Sequence, residues 1–434
     1  MIANGYVTTL TFSALTYVSG AIDVNYEDSL TSIAFPLLNT VGGYVAINFN
    51  LALTIVSLPA LVNLGGDLDF ERNAQLPSLT LLLLSKVVGY VSIQSHQLLT
   101  SIALPALKSV GGDFAIISNS ALKTVVSPTL ASTDGSVELM ENALDGLELN
   151  GLSMIGGKLV LQGNVNMTAV SLPRLTLVPG DVTVLGQPRL TNVSIPVLKT
   201  IGSSFVVSNN TILTAVSLPS LSFCNSIVIE GLNLGLVSLS FDVLSYASSI
   251  NVDDTTVLTA VSFPMLAAVG GYVHVSSNAA VSMVSLPQLT AAGGSIDISY
   301  NTALTNLTFS ALASIGGYLN PTSNTNIKTR SFPYLQSVGN ELLLSSNANL
   351  TSMNFPLLQN VSSAVSIYNN TVLTVANLAS LRMIGGSFEL SYNPSMAMFN
   401  SANLLEVVKG DVTIKSNDKL GLVGFLALNR WVAS

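Results

Sequence analysis

Apolar residues return along this chain at a fixed interval. The stretch Leu30-Thr31-Ser32-Ile33-Ala34-Phe35-Pro36-Leu37-Leu38, which runs on to Val41-Gly42-Gly43, is repeated as Leu53-Thr54-Ile55-Val56-Ser57-Leu58-Pro59-Ala60-Leu61, running on to Leu64-Gly65-Gly66, a shift of 23 residues. Eighteen complete copies run from Val7 to Leu420, with the consensus L-T-x-V-S-L/F-P-x-L-x-x-V-G-G-x-V-x-I-x-x-N-x-x. Within a copy, V-S-L/F and V-x-I alternate apolar and polar, the period of a half-buried strand. Two short strands in 23 residues leave no room for a full helix. Such a period defines a repeat architecture in which each unit buries its apolar face only against its neighbours. The pattern predicts an all-β, right-handed β-solenoid with parallel strands pairing between coils, one continuous body over residues 7–431.

The fixed positions have physical readings. Proline follows the first strand, as at Pro36, Pro59 and Pro105, where its missing N–H ends the pairing. Gly-Gly makes a corner, for positive φ or for close approach of coils. Asparagine lies 20 residues after the starting leucine in thirteen coils, including Asn50, Asn119, Asn278 and Asn301. A buried amide there is expected to bond corner backbone groups of its own and the next coil. Ile33, Val56, Leu79, Ile102, Val125 and Leu147 form one inward column, and Cys224 shares the apolar column of Val41 and Leu64.

Composition narrows the class. Of 434 residues, 49% are hydrophobic and 9% charged, and the mean hydropathy is +0.59. That is ample for a core and excludes disorder. Uninterrupted apolar runs such as Leu81–Leu84 fall far short of the ~18 residues of a membrane span, so no transmembrane segment is expected in the chain. Fifteen Lys and Arg against 23 Asp and Glu, net charge -8, argue against a nucleic-acid partner. One cysteine excludes an internal disulfide framework. No leader precedes Val7, no lipid-anchor tail follows, and Trp431 still falls in the column of Val41. With no cap at either end, the chain reads as a fragment of a longer one.

Units such as Leu99-Thr100-Ser101-Ile102-Ala103-Leu104-Pro105-Ala106-Leu107, continued by Lys108-Ser109-Val110-Gly111-Gly112 and closed at Asn119, resemble the leucine-rich-repeat-like units of the receptor L-domain superfamily. They resemble still more those of fungal GPI-anchored cell-wall-organisation proteins. The resemblance covers essentially residues 7–431. It implies an extracellular, glycosylated, non-enzymatic surface protein without cofactors, with cell-wall polysaccharide or a surface protein as partner.

Candidate chemistry is sparse. Enzymes built as β-helices need clustered carboxylates or a cation site with a base. The densest acidic stretch is Asp253-Asp254 with Glu230 and Asp242, read as solvated acids at an irregular corner. The coils starting at Leu213 and Leu236 lack Gly-Gly. Near Pro321, Arg330 falls in the inward column with Lys328, Tyr318 and Tyr334 close in sequence. A buried arginine is costly, so the strand should twist it outward or supply a partner, and the four residues form a candidate aromatic and basic recognition patch. His96 replaces the asparagine of its coil, and His274 faces outward with no acid at ligand spacing; both read as structural or solvated. Threonine columns such as Thr31, Thr54, Thr191 and Thr214, and serine columns such as Ser171, Ser194 and Ser217, predict outward hydroxyl ladders. These offer an alternative function, binding ice or glycan. N-glycosylation sequons stand at Asn166, Asn192, Asn209, Asn306, Asn349, Asn360 and Asn369. The expected function is a structural or recognition surface without catalysis.

Overall fold

The structure, a computed structural model, describes residues 7–401 and 404–421; the sequence-predicted final coil to Trp431 lies outside the described residues. The chain forms two compact units, residues 1–220 and 221–434. Every pairing within each unit joins parallel strands of successive coils, and among the described residues no helix forms. Both units are thus parallel β-solenoids with a period of about 23 residues.

In the first unit, four-residue strands run in register from Ile22–Asn25 through Val45–Asn48, Leu68–Glu71 and Val91–Gln94 to Val182–Leu185. Val45 pairs with Leu68 and Ile47 with Phe70, so apolar residues stack on apolar residues. A second ladder uses three-residue strands such as Ser32–Ala34 and Ile55–Ser57. The sequence period implies two strands per coil, and the structure adds a third, two residues long, just before Gly-Gly, as at Thr40–Val41. Ile33, Leu79 and Ile102 are fully buried, and Ile33 pairs with Val56, which is half-buried. Leu147 keeps its place opposite Val125 but is only half-buried. Its coil starts one residue early, at Leu144, and keeps only an isolated bridge from Glu148 to Val126.

In the second unit the long-strand ladder runs from Phe223–Glu230 and Tyr246–Asp253 through Val273–Ser276 and Ile296–Ser299 to Val412–Lys415. Phe309, Phe332 and Phe355 form a buried stack, with ring centroids 5.7 and 5.0 Å apart. Cys224 is buried as its column predicts. Pro321, which has no N–H to give, cuts its strand to Leu319–Asn320. In the next coil the three-residue ladder breaks: Asn306–Thr308 closes one sheet and Thr329–Ser331 opens another.

The corners follow from local chemistry. The Leu38 N–H donates to the Phe35 carbonyl at 3.3 Å, closing a turn with Pro36 at the position where a fixed φ is favourable. Gly-Gly serves close approach, not positive φ: a Cβ on Gly65 would run into the Gly42 carbonyl oxygen of the preceding coil. Positive φ falls instead on the residue before most ladder asparagines, including Phe49 (59°), Arg72 (51°) and Tyr300 (56°), and in the coil of Asn233 on Gly231 (67°). In three coils without Gly-Gly the bend disappears and two strands fuse, giving Thr200–Ser208, Phe223–Glu230 and Tyr246–Asp253, whereas the coil with Ser362-Ser363 keeps Asn360–Val361 and Val365–Tyr368 apart.

Candidate recognition face

Two polar columns are consumed by the fold. The first is the asparagine ladder. Asn73 Oδ1 accepts from the Asn50 N–H at 3.1 Å, and Asn73 Nδ2 donates to the Ile47 carbonyl at 2.7 Å. Asn278 repeats this on Thr255 and Val252, so each amide satisfies the preceding coil. His96 takes the same place: Nδ1 accepts from the Asn73 N–H at 3.2 Å, which leaves Nε2–H for the Phe70 carbonyl at 3.2 Å. Burial pushes its pKa down, against those backbone hydrogen bonds. Gln187 is also buried there, but its longer side chain leaves Oε1 and Nε2 without a protein partner.

The second consumed column is the threonine ladder. Thr31, Thr54, Thr191, Thr214 and Thr351 are exposed, yet each hydroxyl donates to a backbone carbonyl 23 residues earlier, at 2.8–3.0 Å. Their donor hydrogens are therefore committed to the neighbouring coil.

The sequence-predicted basic and aromatic patch is not assembled. Tyr318 faces outward beside the long strand Leu319–Asn320, whereas Lys328 and Tyr334 are exposed on either side of Thr329–Ser331. Arg330 is only 2% exposed and paired in register with Met353, so it belongs to the core and not to a surface. Its inward column position holds it there, and the strand neither twists it out nor gives it a full set of partners. Nη2 donates to Asn347 Oδ1 at 3.2 Å, while Nε and Nη1 find no acceptor in the protein. Burial lowers its pKa to about 9.

The outward positions of the long strands differ from both ladders. They change from coil to coil and carry titratable groups. His274 Nδ1 lies 3.5 Å from Asp297 Oδ2, and Asn320 Nδ2 donates to Asp297 Oδ1 at 3.1 Å. Asp297 follows His274 by 23 residues, which corrects the expectation that no acid faces it; applying the repeat shift to charged residues would have found the pair. The hydrogen bond to Asp297, opposed by partial burial and helped by the charges of Asp297 and Asp253, raises the His274 pKa. One coil earlier, Asn251 Nδ2 donates to Glu230 at 3.3 Å. Asp254 instead occupies a positive-φ corner, and Asp242 accepts from Ser240 beside a short strand. These acids do not converge, and among the described residues no group of three His, Cys, Asp or Glu could hold a metal ion.

The first unit has a comparable region. Asn48 Nδ2 donates to Asp69 Oδ2 at 3.0 Å, and the Tyr90 N–H to Asp67 Oδ1 at 2.9 Å. Partial burial, then the charges of Asp69 and Asp67, raise the Tyr90 pKa. Of the sequon asparagines, Asn192, Asn209, Asn306, Asn349 and Asn369 are exposed, and Asn166 and Asn360 are half-buried. None stands at an outward position of a long strand: Asn192 and Asn306 open short strands, and Asn209 and Asn369 are positive-φ corners.

Apolar columns, parallel coils and a buried amide ladder make this a parallel β-solenoid protein with a repeat of about 23 residues. No family model matches the chain, and no curated protein matches it. Among solved structures it is similar to a leucine-rich repeat protein from Bacteroides ovatus, at 13% identity over 82% of this chain and 86% of that one, TM-score 0.40. It is also similar to YopM from Yersinia enterocolitica, at 14% identity over 94% and 91%, TM-score 0.25. A third is TLR13 in complex with ssRNA13, at 13% identity over 94% and 82%, TM-score 0.25.

Proposed function

We propose that this protein is a non-catalytic recognition scaffold whose long-strand face meets its partner. The observation that carries this reading is the contrast between columns. Asparagine and threonine columns repeat and spend their polar groups on the preceding coil, while the long-strand face varies and keeps Tyr, His and Asp turned outward. A surface protein is the favoured partner, with cell-wall polysaccharide the second. The net charge of -8 disfavours nucleic acid. We place the protein at a cell surface or in a cell wall; the resemblance of its repeats and the sequons off the long-strand face support this. Secretion from a eukaryotic host should then yield a chain whose gel mobility rises after enzymatic deglycosylation; an unshifted secreted chain would remove the glycoprotein reading.

Peptide and glycan arrays test the face itself. Replacing Tyr272, His274, Asp297 and Tyr318 by alanine should abolish array signals that the pair Thr191→Tyr and Thr214→Tyr leaves intact. The reverse outcome would move recognition to the hydroxyl ladder. The ice-binding alternative needs free hydroxyl donors, which the threonines have given to carbonyls, so the intact protein should show no thermal hysteresis.

A further inference from the structure

Two places on the long-strand face are built alike, one in each unit. A tyrosine stands at the first outward position of one coil and again two coils later: Tyr44 and Tyr90 in the first unit, Tyr272 and Tyr318 in the second. Between them an aspartate, Asp69 or Asp297, holds the middle outward position of the intervening coil. In both places the aspartate follows the first tyrosine by 25 residues and precedes the second by 21. Each tyrosine keeps between 37% and 46% of its surface exposed, so the rings are available without being loose.

The gap between the rings is kept clear by the same device in both. The residue between the tyrosines in their own column is short, Asp67 or Ser295, and it is folded back onto the backbone. The Tyr90 N–H donates to Asp67 Oδ1 at 2.9 Å, and the Tyr318 N–H to Ser295 Oγ at 3.1 Å. Gly89 and Gly317 make room for this, since a Cβ on either would strike the Asp67 carboxylate or the Ser295 hydroxyl. The middle aspartate is fixed by an amide from an adjacent coil, Asn48 for Asp69 and Asn320 for Asp297. The second tyrosine of each pair senses a carboxylate: after partial burial, Asp69 and Asp67 raise the Tyr90 pKa, and Asp297 raises that of Tyr318.

Coils repeat at about 4.8 Å, so rings two coils apart stand roughly 10 Å apart, with the midpoint about 5 Å from each. A cation at that midpoint lies within the ~6 Å over which an aromatic face attracts it. It would also lie over a carboxylate already oriented by a neutral amide. A neutral sugar ring would use the aromatic faces and hydrogen-bond the carboxylate, but only a cation offsets its charge as well. We infer that each tyrosine pair with its aspartate is a clamp for the lysine or arginine side chain of a partner polypeptide lying across the coils. This rests on the reading of the long-strand face proposed above. The first clamp has Asp67 as a second carboxylate, whereas in the second His274 already contacts Asp297, so the first is the tighter.

Titration calorimetry of the whole chain with pentalysine tests the inference, with pentaglutamate and cellopentaose as parallel probes. Two pentalysine sites per chain are expected, with no heat from the other probes. Tyr44→Ala with Tyr90→Ala should leave one site, the weaker, and Tyr272→Ala with Tyr318→Ala should leave the stronger. The corresponding Tyr→Phe pairs keep the rings and should retain both sites. Asp69→Asn should weaken the stronger site about tenfold. Unchanged sites in both alanine pairs, with loss only on Asp69→Asn, would mean diffuse acidic attraction and overturn the clamp. Cellopentaose binding that needs the tyrosines, with no pentalysine binding, would replace it by a sugar site. Pentalysine binding lost only on Thr191→Tyr with Thr214→Tyr would sink the long-strand-face reading as well. Absent pentalysine binding alongside array ligands that still need that face would sink the clamp alone.

Discussion

Replacing Asn278 by leucine separates the ladder's bonding from its bulk, because the two side chains are similar in size. Asn278 is fully buried. Its Oδ1 accepts from the Thr255 N–H at 3.0 Å and from the Thr255 hydroxyl at 2.5 Å, and its Nδ2 donates to the Val252 carbonyl at 2.9 Å. Leucine would orphan one backbone N–H, one carbonyl and the buried Thr255 hydroxyl, while the Asn278 N–H keeps its own acceptor, Asn301 Oδ1 at 3.2 Å. Three orphaned groups cost about 1–3 kcal/mol each. Burying the leucine returns about 1.5–3 kcal/mol. The net loss is roughly 4 kcal/mol, equivalent to about a thousandfold larger open population. Each coil touches only its neighbours, so the loss should be local. Hydrogen exchange read by mass spectrometry should show protection falling across residues 255–301 and holding in the coils from Phe332 to Ser391. Undiminished protection at Thr255 would refute the bonding argument. An equal loss throughout the second unit would refute its locality.

Other substitutions test the same logic with the opposite sign. Gln187→Asn restores the ladder geometry to a buried amide that now pairs with nothing, and should raise the urea midpoint by an amount equivalent to about 1–3 kcal/mol; a fall would mean Gln187 is suited to its coil. Arg330→Leu removes a buried charge with one partner and should stabilise by about 1–4 kcal/mol, whereas destabilisation would show that the arginine supports its neighbours. His96 is held neutral by burial, so the unfolded chain binds a proton that the fold refuses. Stability should fall as pH drops from about 6.5 toward the lower folded value, and His96→Asn should flatten that slope in urea unfolding; an unaltered slope would place the effect elsewhere. His274 has the reverse sign: its raised pKa contributes stability in full below about 6.5, lost as pH rises through the folded value. NMR titration should place it above 6.5 and Asp297→Asn should bring it down; a value already at or below 6.5 would contradict the ion pair.

The columns were legible because a period of 23 fixes which residues stack, and burial then follows from residue type, as for Ile33, Leu79 and Cys224. The corners were harder to read. Positive φ at Tyr26, Phe49 and Arg72 carries no compositional mark, because the ladder amide and tertiary pairing hold those residues where glycine would be expected. Gly-Gly marked a bend, but its purpose, room for the preceding coil's carbonyl, depends on a contact between coils that a single copy does not display. Arg330 was placed in the right column, and of the two expected outcomes the structure takes the second in part: it stays inward with one partner, Asn347, because the register ties it between coils more firmly than its desolvation pushes it out. The His274–Asp297 pair was within reach, since the repeat shift that aligns leucines also aligns charges.

The sameness of the columns has a consequence for folding. Because a leucine, a proline turn and an asparagine recur at one interval, a coil could dock on the coil after next and loop out the one between, with every apolar contact and amide bond nearly reproduced. The irregular coils penalise that skip. His96 offers one ring where an asparagine offers both an acceptor and a flexible donor, the coil from Leu122 to Leu144 is one residue short, and Pro321 shortens its strand to two residues. Each makes its coil distinguishable from those around it. They act as index marks along an otherwise degenerate stack, so substitutions toward the consensus at these positions would add stability to the native state while removing the means of telling it from its shifted copies.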